Sequence, residues 1–246
     1  MKNFYSVIIG SELLNGRRVD KHFNHINTLL REKNFKHVAN LVIQDHPLHI
    51  QNCFAMILND PNSVMFCFGG LGATPDDITR SLASEIFTGQ PLVLHEEAKE
   101  RIEKQFGEEA YPHRITMAML PPTSKLLHNV VNNVPGFCLE GRFFFMPGFP
   151  SMAWPMVEEA LSCYFPNAEQ PLFSVSFIVE APESDLIEIM EALPHELEFS
   201  SLPRFVDDKR MVEIYLAHVE ETMVKTWEAY FKQSLKTKKI AIKDCW

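Results

Sequence analysis

Apolar residues along the chain follow two different repeats. Residues 4–9, 37–43, 64–68 and 143–146 are short runs rich in Phe, Val and Ile, each ending at glycine or polar residues. Such runs read as strands buried on both faces. Val19, Phe23, Ile26 and Leu30 instead recur at i, i+4, i+7 and i+11, the stripe of an amphipathic helix. Asp45-His46-Pro47 starts a second helix that runs to about residue 58, and Ile78, Leu82 and Ile86 mark a third, ending near Gly89. Residues 95–106 and 156–164 predict two more, residues 125–128 a short strand, and residues 134–137 a turn. Strands alternating with helices of about ten to fifteen residues predict βαβ units. The expected fold class is therefore α/β, a three-layer, parallel-type sheet with helices on both faces.

At residues 166–171 Pro, Asn and Gln replace the apolar periodicity, as in a linker. Beyond it the order changes to strand 173–179, helix 183–193, strands 199–202 and 211–216, and a long helix 220–235. This β-α-β-β-α order suits a small α+β domain. The predicted domains are 1–168 and 172–246. The second holds no glycine loop or acid cluster, and Asp207-Asp208-Lys209 reads as a turn between strands.

Composition narrows the function classes. No apolar run approaches the ~20 residues of a membrane span. The N-terminal apolar stretch is too short for a signal peptide and reads as the first strand, so a cytoplasmic protein without a membrane partner is expected. A net charge of −9 argues against nucleic-acid binding, which needs a basic face. Lys232, Lys236, Lys238, Lys239 and Lys243 read as a solvated tail. Cys53, Cys67, Cys138, Cys163 and Cys245 are scattered without a CxxC, which indicates neither disulfides nor a zinc site. Cys53 and Cys67 sit in apolar runs and are expected in the core. The pairs His22/His25 and His46/His49 have a metal-compatible spacing but no third ligand, and read as surface or cap histidines.

The chemistry concentrates in residues 66–79. A strand ends in Gly69-Gly70-Leu71-Gly72-Ala73, and Thr74-Pro75-Asp76-Asp77 follows. Thr74 stands as an N-cap, Pro75 as the first helical residue, and Thr74 with Asp77 resembles a capping box. A glycine loop at a helix N-terminus collects phosphate, because amides approach the anion and the helix dipole favours it. Asp76 and Asp77 admit two readings. They complement the helix dipole at ~0.3–1 kcal/mol each, or they hold a divalent cation shared with phosphate oxygens. The loop is neither a Walker A sequence nor a GxGxxG fingerprint. In a parallel sheet, loops at the carboxyl ends of strands converge. Those loops carry Ser11 and Glu12, Asp45, and Gly69 to Asp77. Pro147-Gly148-Phe149-Pro150 is a further candidate wall or a plain strand-to-helix turn.

Residues 69–79, GGLGATPDDIT, resemble the GGxGxTxDDxT signature of the molybdopterin-binding (molybdenum cofactor biosynthesis) fold, in the version found in the competence/damage-inducible A (CinA) family. The resemblance spans nearly the whole chain. Residues 9–17 (IGSELLNGR) match the family's opening, and Asp45 matches its acidic position after the second strand. Leu120-Pro121, Asn129 and Pro135-Gly136-Phe137 match its LP…N…APGF segment, and residues 147–151 its PGxPsE segment. Residues 182–184 and 201–205 resemble the family's small KH-like domain.

The resemblance implies handling of a nucleotide diphosphate with a divalent cation. Relatives adenylylate molybdopterin with ATP and Mg²⁺, hydrolyse ADP-ribose-type pyrophosphates, or, in eukaryotic FAD synthase, hydrolyse FAD. The adenylyltransferase reading is disfavoured, because the extra C-terminal domain belongs to the other branch. A nicotinamide mononucleotide deamidase domain often follows in this family. The chain ends before it could begin, so that activity is expected to be absent. Three departures stand out: Met152 replaces the Glu of PGxPsE, Asn132 replaces a Gly, and Lys21-His22 replace Thr-Asn.

The expected function is a metal-dependent pyrophosphatase acting on an ADP-ribose- or FAD-like diphosphate. Gly69, Gly70, Gly72 and the Thr74 hydroxyl would hold phosphates, with Ser11, Pro147 and Gly148 beside them. Asp77, Asp45 and Asp76 would hold Mg²⁺, Mn²⁺ or Co²⁺, and Glu12 would orient water. The alternative is a non-catalytic module that binds a nucleotide or pterin, motivated by Met152. A homodimer is expected.

Overall fold

The computed structural model describes residues 2–206 and 209–243, so the expected turn at Asp207-Asp208 and the cysteine Cys245 lie outside the described residues. The chain divides into two compact units, Met1–Glu169 and Gln170–Trp246.

The first unit runs β1 (Asn3–Ile9), α1 (Ser11–Leu14), α2 (His22–Glu32), β2 (Lys36–Ile43), α3 (Pro47–Leu58), β3 (Ser63–Phe68), α4 (Thr79–Ala83), β4 (Val93–Leu94), α5 (Glu96–Phe106), β5 (Met119–Leu120), β6 (Lys125–Leu127), β7 (Gly136–Leu139), β8 (Phe143–Met146) and α6 (Pro150–Tyr164). Six strands form one sheet in the order β2-β1-β3-β8-β7-β6. β2, β1, β3 and β8 are parallel, and β7 and β6 extend the sheet antiparallel. The parallel strands are joined by helical crossovers, whereas a tight turn joins β7 to β8. That turn corrects the one expected at residues 134–137. Glu140 and Gly141 both take positive φ, at 54° and 67°, as the central residues of a type I′ turn do, and the Arg142 N–H closes it on the Leu139 carbonyl at 3.1 Å. Gly136 is already inside the sheet, where a Cβ would stand 2.6 Å from the Phe145 carbonyl oxygen.

Period-two alternation splits each strand between two cores. Val64, Phe66 and Phe68 join Phe4, Ile8 and Phe144 under α2 and α6, meeting Ile26, Leu30, Met156 and Val157. Met65 and Cys67 face the other way, with Val7 and Phe145, against Ile50, Phe54 and Ile57 of α3. Each such large side chain withdrawn from water contributes roughly 1.5–3 kcal/mol. All of β3 is buried, which makes it the centre of the unit.

The second unit runs β9 (Phe173–Val179), α7 (Ile187–Glu191), β10 (Glu198–Val206), β11 (Lys209–His218), α8 (Glu221–Thr237) and β12 (Ile242–Lys243). Its antiparallel sheet has the order β10-β11-β9-β12. Val224, Phe231 and Leu235 of α8 are buried at helical spacing, with Phe177, Ile214 and Leu216 in the same core. The helix expected over 183–193 is shorter, a 3₁₀ turn (Glu183–Leu186) leading into α7. The C-terminal lysines read as a solvated tail are exposed, although Lys232 and Lys236 lie on α8 rather than in a tail. Lys232 pairs with Glu228 at 2.6 Å and Lys238 with Glu188 at 2.7 Å, exposed pairs of small energetic weight. Among the described residues no helix is long and apolar enough to cross a membrane.

Candidate functional site

β1 leads on to β2 on one side and its neighbour β3 leads on to β6, β7 and β8 on the other, so the chain leaves these adjacent strands in opposite directions and a crevice opens at their carboxyl ends. Gly69, immediately after β3, closes against β1. Its φ is +100°, and a Cβ there would stand 2.3 Å from the Ile9 carbonyl oxygen. Its amide donates to the Met146 carbonyl at the end of β8, 3.0 Å away. Gly70 has φ +67°, with the Thr79 hydroxyl where a Cβ would be. Above these residues lies a cavity of about 420 Å³. Glu12, Asp45, Asp76 and Asp77 line its polar part together with the backbone of Gly69, Gly70, Gly72, Pro147 and Gly148, while Phe106, Met117, Val134, Phe149 and Met152 line the apolar part.

Ser11 and Thr74 are not among the residues that line the cavity. The Ser11 amide donates to Asp45 Oδ2 at 2.7 Å, and the Asp45 amide donates to Ser11 Oγ at 3.3 Å. This reciprocal clamp holds the loop after β1 to the loop after β2. The Thr74 amide and hydroxyl both donate to Asp77 Oδ2, at 3.0 and 2.5 Å. Thr74 is thus no helix cap, and the helix does not begin at Pro75. Asp77 is a charged acceptor, and charge-assisted bonds are the stronger ones. It folds residues 74–77 into a turn, and α4 starts only at Thr79. Asp76 and Asp77 consequently lie before the helix and face the cavity rather than its first turn.

Arg80 carries the loop from behind. It is 7% exposed, and its Nη1 donates to the carbonyls of Leu71 and Gly72, the latter at 2.7 Å. Burial pulls its guanidinium below the ordinary range, and the charge of Asp77 offsets part of that. In a trans peptide the N–H points opposite to the carbonyl. Drawing the carbonyls of Leu71 and Gly72 back therefore turns the amides of Gly72 and Ala73 away from Arg80. Among the described residues, the amides of Gly70, Leu71, Gly72 and Ala73 donate to no protein acceptor. A run of unpaired N–H groups is an anion-binding concavity. Sequence reasoning missed Arg80 because it falls off the Ile78/Leu82 stripe and reads as a solvated helix cation.

His22 corrects a second expectation, since it is buried rather than on the surface or a cap. It stacks on Phe68 at 4.2 Å between ring centroids, and its Nε2 lies 3.2 Å from the Gly148 carbonyl oxygen. His25 stacks on Trp154 at 4.3 Å. His22 Nδ1 has no partner, so the ring is neutral and donates through Nε2. It ties the end of β3 to the Pro147-Gly148 loop. Burial pushes the His22 imidazole below its ordinary 6.5, against smaller upward pulls from Gly148 and Asp20. The unfolded chain therefore takes up this proton first, and folding stability is lost as pH falls through 6.5 towards the folded value. A lower melting temperature at pH 5.5 than at pH 7.5 is expected. His22→Asn should flatten part of that slope. His25 and His37, lowered in the same sense, keep the remainder. An unchanged slope in His22→Asn would refute the assignment.

Among the described residues no three His, Cys, Asp or Glu side chains group closely enough to hold a metal by themselves. The cavity carboxylates suit a cation only as a shared ligand, one or two carboxylates completed by phosphate oxygens, as Mg²⁺ is commonly bound.

Residues 6–167 match the family model described as a probable molybdopterin binding domain. A CinA-like protein of Geotalea uraniireducens is 36% identical over 159 residues, covering 62% of this chain and 37% of that protein. One of Pseudothermotoga lettingae is 30% identical over 202 residues, covering 80% and 49%. Both matches span less than half of the relative's length. Among solved structures, the protein CinA of unknown function from Thermoplasma acidophilum is similar with a TM-score of 0.61 at 27% identity, covering 67% of this chain and 98% of that one.

Proposed function

Because the chain belongs to the family of probable molybdopterin binding domains and resembles CinA-like proteins, we propose that its cavity binds a phosphorylated pterin or nucleotide. The unpaired amides of Gly70, Leu71, Gly72 and Ala73 are the observation that carries this reading. They supply fixed donors for a phosphate or diphosphate without further ordering. The apolar side of the same cavity takes the heterocycle. Phe149 is 54% exposed, with the Arg18 guanidinium 5.8 Å from its ring centroid, a platform for a planar ring. Asp77 stabilises the cradle through Thr74 rather than by touching phosphate alone. Asp77→Ala is expected to weaken binding of ADP-ribose or FAD at least tenfold by calorimetry. Unaltered affinity in that variant, or no binding to the unaltered protein with Mg²⁺ present, would defeat the proposal.

A second reading is hydrolysis of the bound diphosphate, favoured by the opening of Glu12, Asp45 and Asp77 onto the phosphate cradle. A divalent cation shared by Asp45, Asp77 and the phosphates would polarise the phosphoryl group and lower the pKa of an attacking water. Glu12, whose carboxylate is 3.9 Å from Arg18, would orient that water. Formation of AMP from ADP-ribose or FAD with Mg²⁺, Mn²⁺ or Co²⁺ tests it. Binding without AMP under all three metals would leave the chain a binding module.

A further inference from the structure

We infer that Asn132 is a specificity-determining residue, whose amide N–H reads a hydrogen-bond acceptor on the ligand's heterocycle, a ring nitrogen or exocyclic oxygen; this rests on the binding reading above. Two backbone donors fix the orientation of the amides concerned. The Val131 N–H donates to Asn129 Oδ1 at 3.0 Å, so the Asn129 nitrogen must point the other way. There it donates to the Val134 carbonyl at 2.9 Å and to Asn132 Oδ1 at 2.7 Å. The Val134 N–H also donates to Asn132 Oδ1, at 3.2 Å. The Asn132 oxygen is thereby doubly occupied, and its NH₂ faces the opposite direction. A side-chain amide nitrogen carries two donors. The partner of the Asn132 nitrogen is Met152 Sδ at 4.0 Å, a weak acceptor. Both Asn132 and Met152 line the cavity. Asn129, by contrast, is 1% exposed and has both of its donors in use. The result is a donor held rigid from behind and left open in front, on the wall shared with Val134 and Met152 rather than on the phosphate cradle. Pre-ordered donors of this kind discriminate strongly against ligands that lack the matching acceptor.

Asn132→Asp is close to isosteric and keeps the oxygen that accepts from Asn129 and Val134, so its melting temperature should stay near that of the unaltered chain. It replaces the open donor with an acceptor. Affinity for ADP-ribose, by calorimetry on the full chain, should fall tenfold or more, and by several-fold more than affinity for inorganic pyrophosphate, which has no ring and registers only the added charge. Asn132→Gly, which removes the donor without adding charge, should cost ADP-ribose binding about three- to tenfold. Equal losses for both probes in Asn132→Gly, where no charge is added, would mean that Asn132 meets phosphate, and would overturn the inference. Undiminished ADP-ribose binding in both variants, with Asp77→Ala still weakening it at least tenfold, would overturn the inference and leave the cavity's function standing. No binding of either probe by the unaltered chain would overturn both.

Discussion

Gly69→Ala should lower the stability of the chain by about 3 kcal/mol, from backbone strain together with overpacking. For a unit of this size that corresponds to roughly 6–12 °C in melting temperature. Two costs combine at this residue. Its φ of +100° is hostile to any Cβ, and the Cβ would meet a backbone carbonyl 2.3 Å away in β1, which cannot swing aside as a side-chain tip could. The clash would force β1 and β3 apart at the ends where the cavity opens, so ligand binding should be lost as well. Gly148→Ala is the control. Its Cβ would stand 3.5 Å from the Gly69 Cα, ordinary contact distance, and its stability should change by less than about 1 kcal/mol. Thermal melts of both variants decide the matter. Comparable melting temperatures for the two would contradict the close approach of Gly69 to Ile9.

Arg80→Met should be nearly as damaging, at about 2–4 kcal/mol, since hydrogen bonds from a charged donor are worth about 1.5–3 kcal/mol each. Two carbonyls of the glycine loop lose their donor, and neither Leu71 nor Gly72 has another partner for its oxygen among the described residues. Without that pull the loop can rotate its peptides, and the outward amides cease to be fixed. Affinity for ADP-ribose should therefore fall tenfold or more, although Arg80 does not line the cavity. Arg80→Lys should recover only part of this, because both bonds come from the terminal Nη1, which lies one bond farther along the side chain than a lysine ammonium. Urea unfolding gives the stability and calorimetry the affinity. An Arg80→Met protein that bound normally would show that the loop keeps its shape unaided.

The framework of the first unit was legible in the sequence because the physics that sets it is local. β3 announces itself in Val-Met-Phe-Cys-Phe, a run with no polar break, and the glycines after it mark where a strand must stop. The carboxyl-end rule then brings Asp45, Glu12 and Asp77 to one crevice. What escaped depends on competition between partners. Thr74-Pro75-Asp76-Asp77 has the composition of a helix start, yet Asp77 takes both donors of Thr74, and the helix opens only at Thr79. No periodicity encodes which of two acceptors captures a hydroxyl. Arg80 was overlooked and His22 misjudged for a related reason. Residue type favours the surface for Arg and leaves His undecided, and only the tertiary arrangement shows that the carbonyls of Leu71, Gly72 and Gly148 need donors from within. The reversal at Glu140-Gly141 was missed because Pro135-Gly136 carries the stronger local turn signal, although Gly136 is there to let two strands approach.

The floor of the crevice is main chain almost throughout, glycine on glycine, with the Ile9 carbonyl beneath. Mutation therefore has little there to vary without unseating the fold. The walls are different. Asn132, Phe149 and Met152 project from segments that can change one residue at a time, so descendants of a common ancestor could reshape the walls while inheriting the same main-chain floor.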